Sequence, residues 1–209
     1  MPFLRSDRPN DIELADEIEF FIKRHGGDIS FPPIVAFGPN ASMPHHVATN
    51  IKLKRNSLML FDFGVKLNNY CSDMTRTVFF GKASEKQKKI YETVITAQQR
   101  AITCLQTSIA HPKSSLSAKD VDKISREYIL TQQFPQMPHS LGHGIGLEVH
   151  ESPRLTPVSN DVLSSGMVFS IEPGVYLPGE FGIRIEDLFA LEDDKLIKLT
   201  QSSNKLIEL

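Results

Sequence analysis

The residues of this 209-residue chain best suited to chemistry are acids that recur in pairs inside apolar runs. In "FDFGVKLNNYCSDMTRTVFFG", residues 61 to 81, two strand-like stretches flank "KLNN", where Asn68 and Asn69 suit a turn. Pairing centred between Leu67 and Asn68 sets Asp62 opposite Asp73, with Cβ atoms ~4.5–5.5 Å apart. Like charges so placed destabilise a hairpin unless a cation lies between them. The segment "GMVFSIEPGVYLPGEFGIRIEDLFAL", residues 166 to 191, repeats the arrangement. Centring on Gly179 sets Glu172 opposite Glu186, whereas Asp187 has the opposite parity and points to the other face. Each first acid has a glycine two residues on, Gly64 and Gly174, which leaves space beside the carboxylate. The two pairs lie about half the chain apart, the pattern of an internal duplication with two acid-bearing hairpins facing each other.

One opposed pair arises readily on a surface hairpin. Two pairs among Leu58, Leu60, Phe61, Phe63, Phe169 and Ile171 are different, because charges buried in such runs must be paired or metal-bound. Histidine supplies a further ligand type. "MPHSLGHGIGLEVHESP", residues 137 to 153, holds His139, His143 and His150 among alternating glycines; taken alone, it fits a glycine-rich loop with a core histidine equally well. His143 and His150 are seven apart, so a bend must intervene if both serve one site. His45 and His46 follow Pro44 as a further pair. Four carboxylates and an imidazole suit two hard divalent ions, Mn²⁺ or Co²⁺, better than the thiolate sets of structural zinc. Two such ions ~3.5–4 Å apart activate a water and clamp the carbonyl it attacks, so hydrolysis is the natural chemistry.

The elements that must position these residues are legible. Residues 11 to 25 carry Ile12, Leu14, Ile18, Phe21 and Ile22 at near-helical spacing and stop at Gly26 and Gly27. A second helix starts at Ser84, where Gln87 completes a capping box, and a third at Ser117 with Asp120 three residues on. Short β-like runs, "IVAFG", "SLMLFDFGV", "MTRTVFFG", "MVFSIEPGVYL" and "FGIRIEDLFAL", complete a single α+β domain. Lys and Arg number 23 against 25 Asp and Glu, too balanced for a nucleic-acid binder. Cys71 and Cys104 are isolated and read as reduced thiols. No apolar run reaches membrane-spanning or signal-peptide length, so the expectation is a cytoplasmic protein.

With these residues in view, the chain resembles the pita-bread metallopeptidases, specifically the Xaa-Pro branch that contains aminopeptidase P and prolidase. "FDFG", "SDMTRT", "GHGIGLEVHESP", "SIEPGVY" and "GIRIEDL" stand in that family's order and spacing. The resemblance implies a pseudo-two-fold α+β fold with a curved antiparallel sheet covered by helices. It implies that Asp62 chelates one ion, that His143 and Glu172 bind the other, and that Asp73 and Glu186 bridge them. The ions would be Mn²⁺, with Co²⁺ or Zn²⁺ as alternatives. His45, His139 and His150 match catalytic histidines that hydrogen-bond the scissile carbonyl, and Glu172 matches the proton shuttle. Arg184 would either support the ligands or bind the substrate carboxylate, and Tyr176 matches a pocket position. The implied activity is hydrolysis of the N-terminal Xaa-Pro bond of peptides by a hydroxide held between the ions. A dipeptidase of the prolidase type is the alternative, and a non-catalytic binding module on the same fold is the competitor from another class. Members of the branch usually carry an N-terminal domain of ~100–200 residues, so residues 1–209 are expected to be the catalytic domain alone. A homodimer is left open.

Overall fold

Helix starts follow from their capping residues in two of three cases. The computed structural model describes residues 8–110, 117–193 and 195–209. Helix α1 (Asp11–Arg24) is opened by Asn10, whose side chain accepts from the Glu13 amide while the Glu13 carboxylate accepts from the Asn10 amide. Ser84 and Gln87 form the expected box at the start of α2 (Glu85–Ile109). Ser117 precedes α3 (Ala118–Thr131), but its side chain makes no cap bond. The Ala118 amide donates instead to Asp161 O at 3.0 Å, so a tertiary contact satisfies the helix end.

Strands β1 (Asp28–Ile29) and β2 (Ile34–Phe37) follow α1, and the first acidic segment forms β3 (Ser57–Phe63), β4 (Val65–Leu67), β5 (Tyr70–Cys71) and β6 (Met74–Phe80). After α3 come β7 (Gly142–Gly144), β8 (Glu151–Leu155), β9 (Val168–Ile171), β10 (Gly174–Leu177), β11 (Phe181–Arg184), β12 (Asp187–Glu192) and β13 (Lys195–Lys198). The ladders are antiparallel, in the orders β2-β3-β6, β13-β12-β9-β7-β8, β1-β4-β5 and β10-β11. One long helix covers both halves. Ile90, Tyr91, Val94 and Ala97 of α2 pack with Leu58, Leu60, Phe79 and Ile183. Further along, Ala101 and Leu105 join Val121 of α3 over Phe169, Ile171 and Phe189. Leu14 and Ile18 of α1 cover Val35, Phe37 and Met59. Helices segregated onto an antiparallel framework are the α+β arrangement expected. Among the described residues, no helix is long and apolar enough to cross a membrane.

The two acidic hairpins differ in how well their register was anticipated. In the second, β10 pairs with β11 and β9 with β12 in one continuous register about Gly179, as predicted. Glu172 and Glu186 fall between the two ladders. The first hairpin turns instead about Asn68 and Asn69, both left-handed (φ 51° and 69°), with Leu67 opposite Tyr70. This two-residue geometry matches strand twist, and Asn tolerates it. The pairing therefore slips by two residues from the predicted one: Asp62 stands opposite Thr75, not Asp73. A two-residue slip preserves parity, so the acids keep a common face. The space expected beside the acids is also occupied differently. A Cβ on Gly64 would lie 1.8 Å from Ser72 O, and one on Gly174 would strike the Tyr176 ring.

Candidate metal centre

Both hairpins break where the acids stand. Asp62 is the penultimate residue of β3 and Asp73 precedes β6; Glu172 follows β9, and Glu186 precedes β12. Pro173 lacks the N–H needed to carry the β9 ladder onward, which explains one break. Asp73, His143 and Glu186 are buried, and their ligand atoms lie within 4.8 Å of one another. His143 Nε2 is also 3.5 Å from Glu172 Oε1. Its Nδ1–H donates to Gly144 O at 3.0 Å, which leaves the Nε2 lone pair facing the acids. The bend anticipated between His143 and His150 is present, and their rings meet edge to face at 4.3 Å.

The electrostatics of this cluster point to a cation. Asp62 Oδ1, Asp73 Oδ1 and Glu186 Oε1 are buried without a hydrogen-bond partner among the described residues. Burial and then Glu186 push the Asp73 carboxyl up to about 11, and burial and then Asp62 push Glu186 up to about 8. Glu172 is raised well above the usual range by burial and then Glu186. Burial pulls the His143 imidazole down to about 4, so it is neutral and able to ligate. Orphaned oxygens, opposed carboxylates and a free imidazole lone pair form a donor set that divalent ions fit.

Arg184 is 3% exposed and engaged inside the protein. Its Nε donates to Thr75 Oγ1 at 3.1 Å, its Nη1 to Tyr176 OH at 2.8 Å and Pro44 O at 3.3 Å, and its Nη2 to Asp62. These contacts place it against Asp62. Tyr176 OH donates to His139 Nε2 at 2.8 Å, while His139 Nδ1 donates to Ser140 O at 2.7 Å. Both His139 nitrogens are thus engaged within the protein, at a position where the resemblance implies a histidine that hydrogen-bonds the scissile carbonyl. His45 and His150 are exposed, and their ring nitrogens have no partner among the described residues.

Several supporting residues escaped sequence reasoning. Thr75 Oγ1 donates to Glu186 Oε2 at 2.7 Å, tying one hairpin to the other. Strand parity with Asp73 was a signal for it. Buried His46 faces Asp11 at 3.4 Å, beneath the loop that presents His45. Asp122 and Arg126, one helical turn apart, form a buried pair whose guanidinium donates to Met137 O and His139 O. Their four-residue spacing was visible, but their acceptors lie beyond the helix, 11 and 13 residues on.

Comparison with known proteins agrees with this geometry. The family model described as metallopeptidase family M24 matches residues 4–193. The chain is 39% identical over 197 residues to the Xaa-Pro dipeptidase of Pyrococcus furiosus, covering 93% of itself and 55% of that protein. The prolidase structure from Thermococcus sibiricus matches with a TM-score of 0.88 and 43% identity over 97% of this chain and 54% of that one. The X-Pro aminopeptidase structure from Thermotoga maritima matches at 0.90 with 34% identity, over 98% and 56% respectively. The chain therefore spans about half the length of these relatives.

Proposed function

This chain belongs to metallopeptidase family M24, and from that premise we propose that it holds two divalent ions between its acidic hairpins and hydrolyses the bond before proline. The observation that carries the reading is the buried meeting of Asp73, His143 and Glu186, with carboxylate oxygens left unpartnered. Asp62, Asp73, His143, Glu172 and Glu186 are the ligands in this reading, with Mn²⁺ as the first ion to test. Bound there, such ions would supply Lewis acidity, polarising the scissile carbonyl and acidifying water. Glu172, half-buried beside His143 Nε2 at 3.5 Å, is placed to accept a proton and deliver it to the departing nitrogen. Delivery is required because the prolyl amide nitrogen carries no hydrogen of its own. His45 and His150, exposed and with no ring partner among the described residues, donate to the carbonyl oxygen as charge develops on it. His139 has a different part: with Tyr176 it holds Arg184, and through Arg184 it holds Asp62.

Xaa-Pro dipeptides are the preferred substrate class, supported by the relatives named Xaa-Pro dipeptidase and prolidase. A second reading, an aminopeptidase acting on longer peptides, is favoured by the match to the X-Pro aminopeptidase. Residues 1–209 make up a catalytic domain in either case. Mn²⁺-loaded protein is expected to release proline from Ala-Pro faster than it cleaves Ala-Pro-Ala, and to leave Ala-Ala intact. Preference for the tripeptide would establish the second reading. Metal-loaded protein that cleaves no Xaa-Pro peptide would sink both.

A further inference from the structure

Behind the acids, on the opposite face of the same strands, lies a second buried polar assembly centred on Arg76. All five of its N–H donors meet acceptors. Nε donates to Ser203 O at 3.0 Å, Nη1 to Thr75 O at 2.9 Å and Glu186 O at 2.5 Å, and Nη2 to Asp187 Oδ1 at 2.6 Å and Ser202 O at 2.9 Å. The other Asp187 oxygen accepts from Gln98 Nε2 at 3.1 Å and Lys198 Nζ at 2.8 Å. Gln98 also donates to Ile171 O at 3.1 Å. One guanidinium, one carboxylate and one amide thus grip the backbone two residues after Asp73, at Glu186 itself, and one residue before Glu172. The same guanidinium holds the C-terminal segment, which runs beside β6 through the Phe79–Ile207 and Phe79–Leu209 backbone bonds.

An ordinary buried ion pair is often replaceable by apolar residues of similar volume. This one differs in its acceptors: four are main-chain carbonyls, two of them on the strands that bear the acids, and no apolar side chain can hold those. We propose that Arg76 is a positioning residue for the metal centre. Acting with Asp187 and Gln98, it sets the separation of Asp73, Glu172 and Glu186, and it makes segment 202–203 part of that support. The proposal rests on the reading of these acids as metal ligands. Groups that orient ligands from behind typically govern metal affinity by about 10–100-fold.

The test is Mn²⁺ affinity by calorimetry, with the Co²⁺ absorption spectrum as a report on coordination geometry. Arg76→Lys keeps the charge but loses the planar fork; it is expected to bind the second ion about 10–100-fold more weakly and to shift the Co²⁺ spectrum. Gln98→Met, a milder break in the same assembly, should lose affinity toward the lower end of that range, about tenfold, and serves if Arg76→Lys does not fold. Leu53→Ala, a cavity in the remote cluster under α1, controls for lost stability alone. Affinity and spectrum unchanged in the assembly variants, or a loss no greater than in the Leu53→Ala control, would overturn the proposal. A parent chain that binds no divalent ion would sink the metal reading and the proposal with it; a parent that binds normally beside unchanged variants sinks the proposal alone.

Discussion

Two arginine–aspartate pairs cross between the same hairpins and end in opposite electrostatic states. Arg184 of the second hairpin reaches Asp62 of the first, and Arg76 of the first reaches Asp187 of the second. The Asp187 carboxylate is completed by Gln98 and Lys198, so that face has its charge neutralised by the protein. On the site face one guanidinium, that of Arg184, reaches Asp62, and three carboxylate oxygens are without partners among the described residues. Glu186 and Asp187 are neighbours in sequence and almost equally buried, yet strand parity sends one to each environment. Burial alone therefore does not distinguish a charge-compensated acid from an uncompensated one; the completeness of its partners does.

Exchanging the two neighbours is the sharpest way to break the comparison. Glu186→Ala is expected to lower kcat/KM by about three orders of magnitude or more, since metal catalysis supplies several kcal/mol of transition-state stabilisation. The metal-free protein should keep its stability or gain some, because an opposed buried acid has gone; urea titration in chelator reads this. Asp187→Ala should do the reverse. Removing one partner of a buried pair costs about 3–5 kcal/mol, so this variant should unfold at clearly lower urea. If it loses activity while its stability is intact, the division between the faces is wrong.

A third prediction concerns pH. Asp73, Glu172 and Glu186 have folded values raised above their unfolded values near 4, so their contribution is fully present below that value and is lost as pH rises through the folded values. His139 and His143 are depressed to about 3 and about 4, so they weaken the fold only as pH falls below about 6.5. The window from pH 6.5 to 8 isolates the acids. There the metal-free protein should lose about 1.4 kcal/mol per pH unit for each acid still protonated in the fold alone. Saturating Mn²⁺ should flatten this slope, and a flat metal-free slope would mean the acids are already neutralised. The smallest effect expected is that of Tyr176→Phe, which removes the hydroxyl linking Arg184 to His139. A lost hydrogen bond to a charged group is worth about 1.5–3 kcal/mol of stability, so the variant should unfold at correspondingly lower urea, and unchanged stability would mean the hydroxyl does not hold Arg184.

Much of the site was legible because period-two alternation records which residues share a face. Glu172 with Glu186 and Asp187 on the opposite face followed directly. The first hairpin shows the limit: its turn could be centred at more than one position, and only the left-handed conformation of both Asn68 and Asn69 fixes Thr75 opposite Asp62. Parity survived the slip, which is why the acids were still found. His139 shows a different limit. The resemblance implied a bond to the scissile carbonyl, but its Tyr176 partner lies 37 residues on and is brought to it by the fold.

The sequence by itself determined the α+β class, the helix starts, the four acids on a common face and the presence of His143 among candidate ligands. These depend on spacing, parity and capping, all of which are local. The tertiary structure alone decided which charges are compensated. Arg76 and Asp187 are 111 residues apart, and Arg184 and Asp62 are 122 apart. Pairing across such separations follows from how the two hairpins pack beneath α2, and that packing is a property of the whole core.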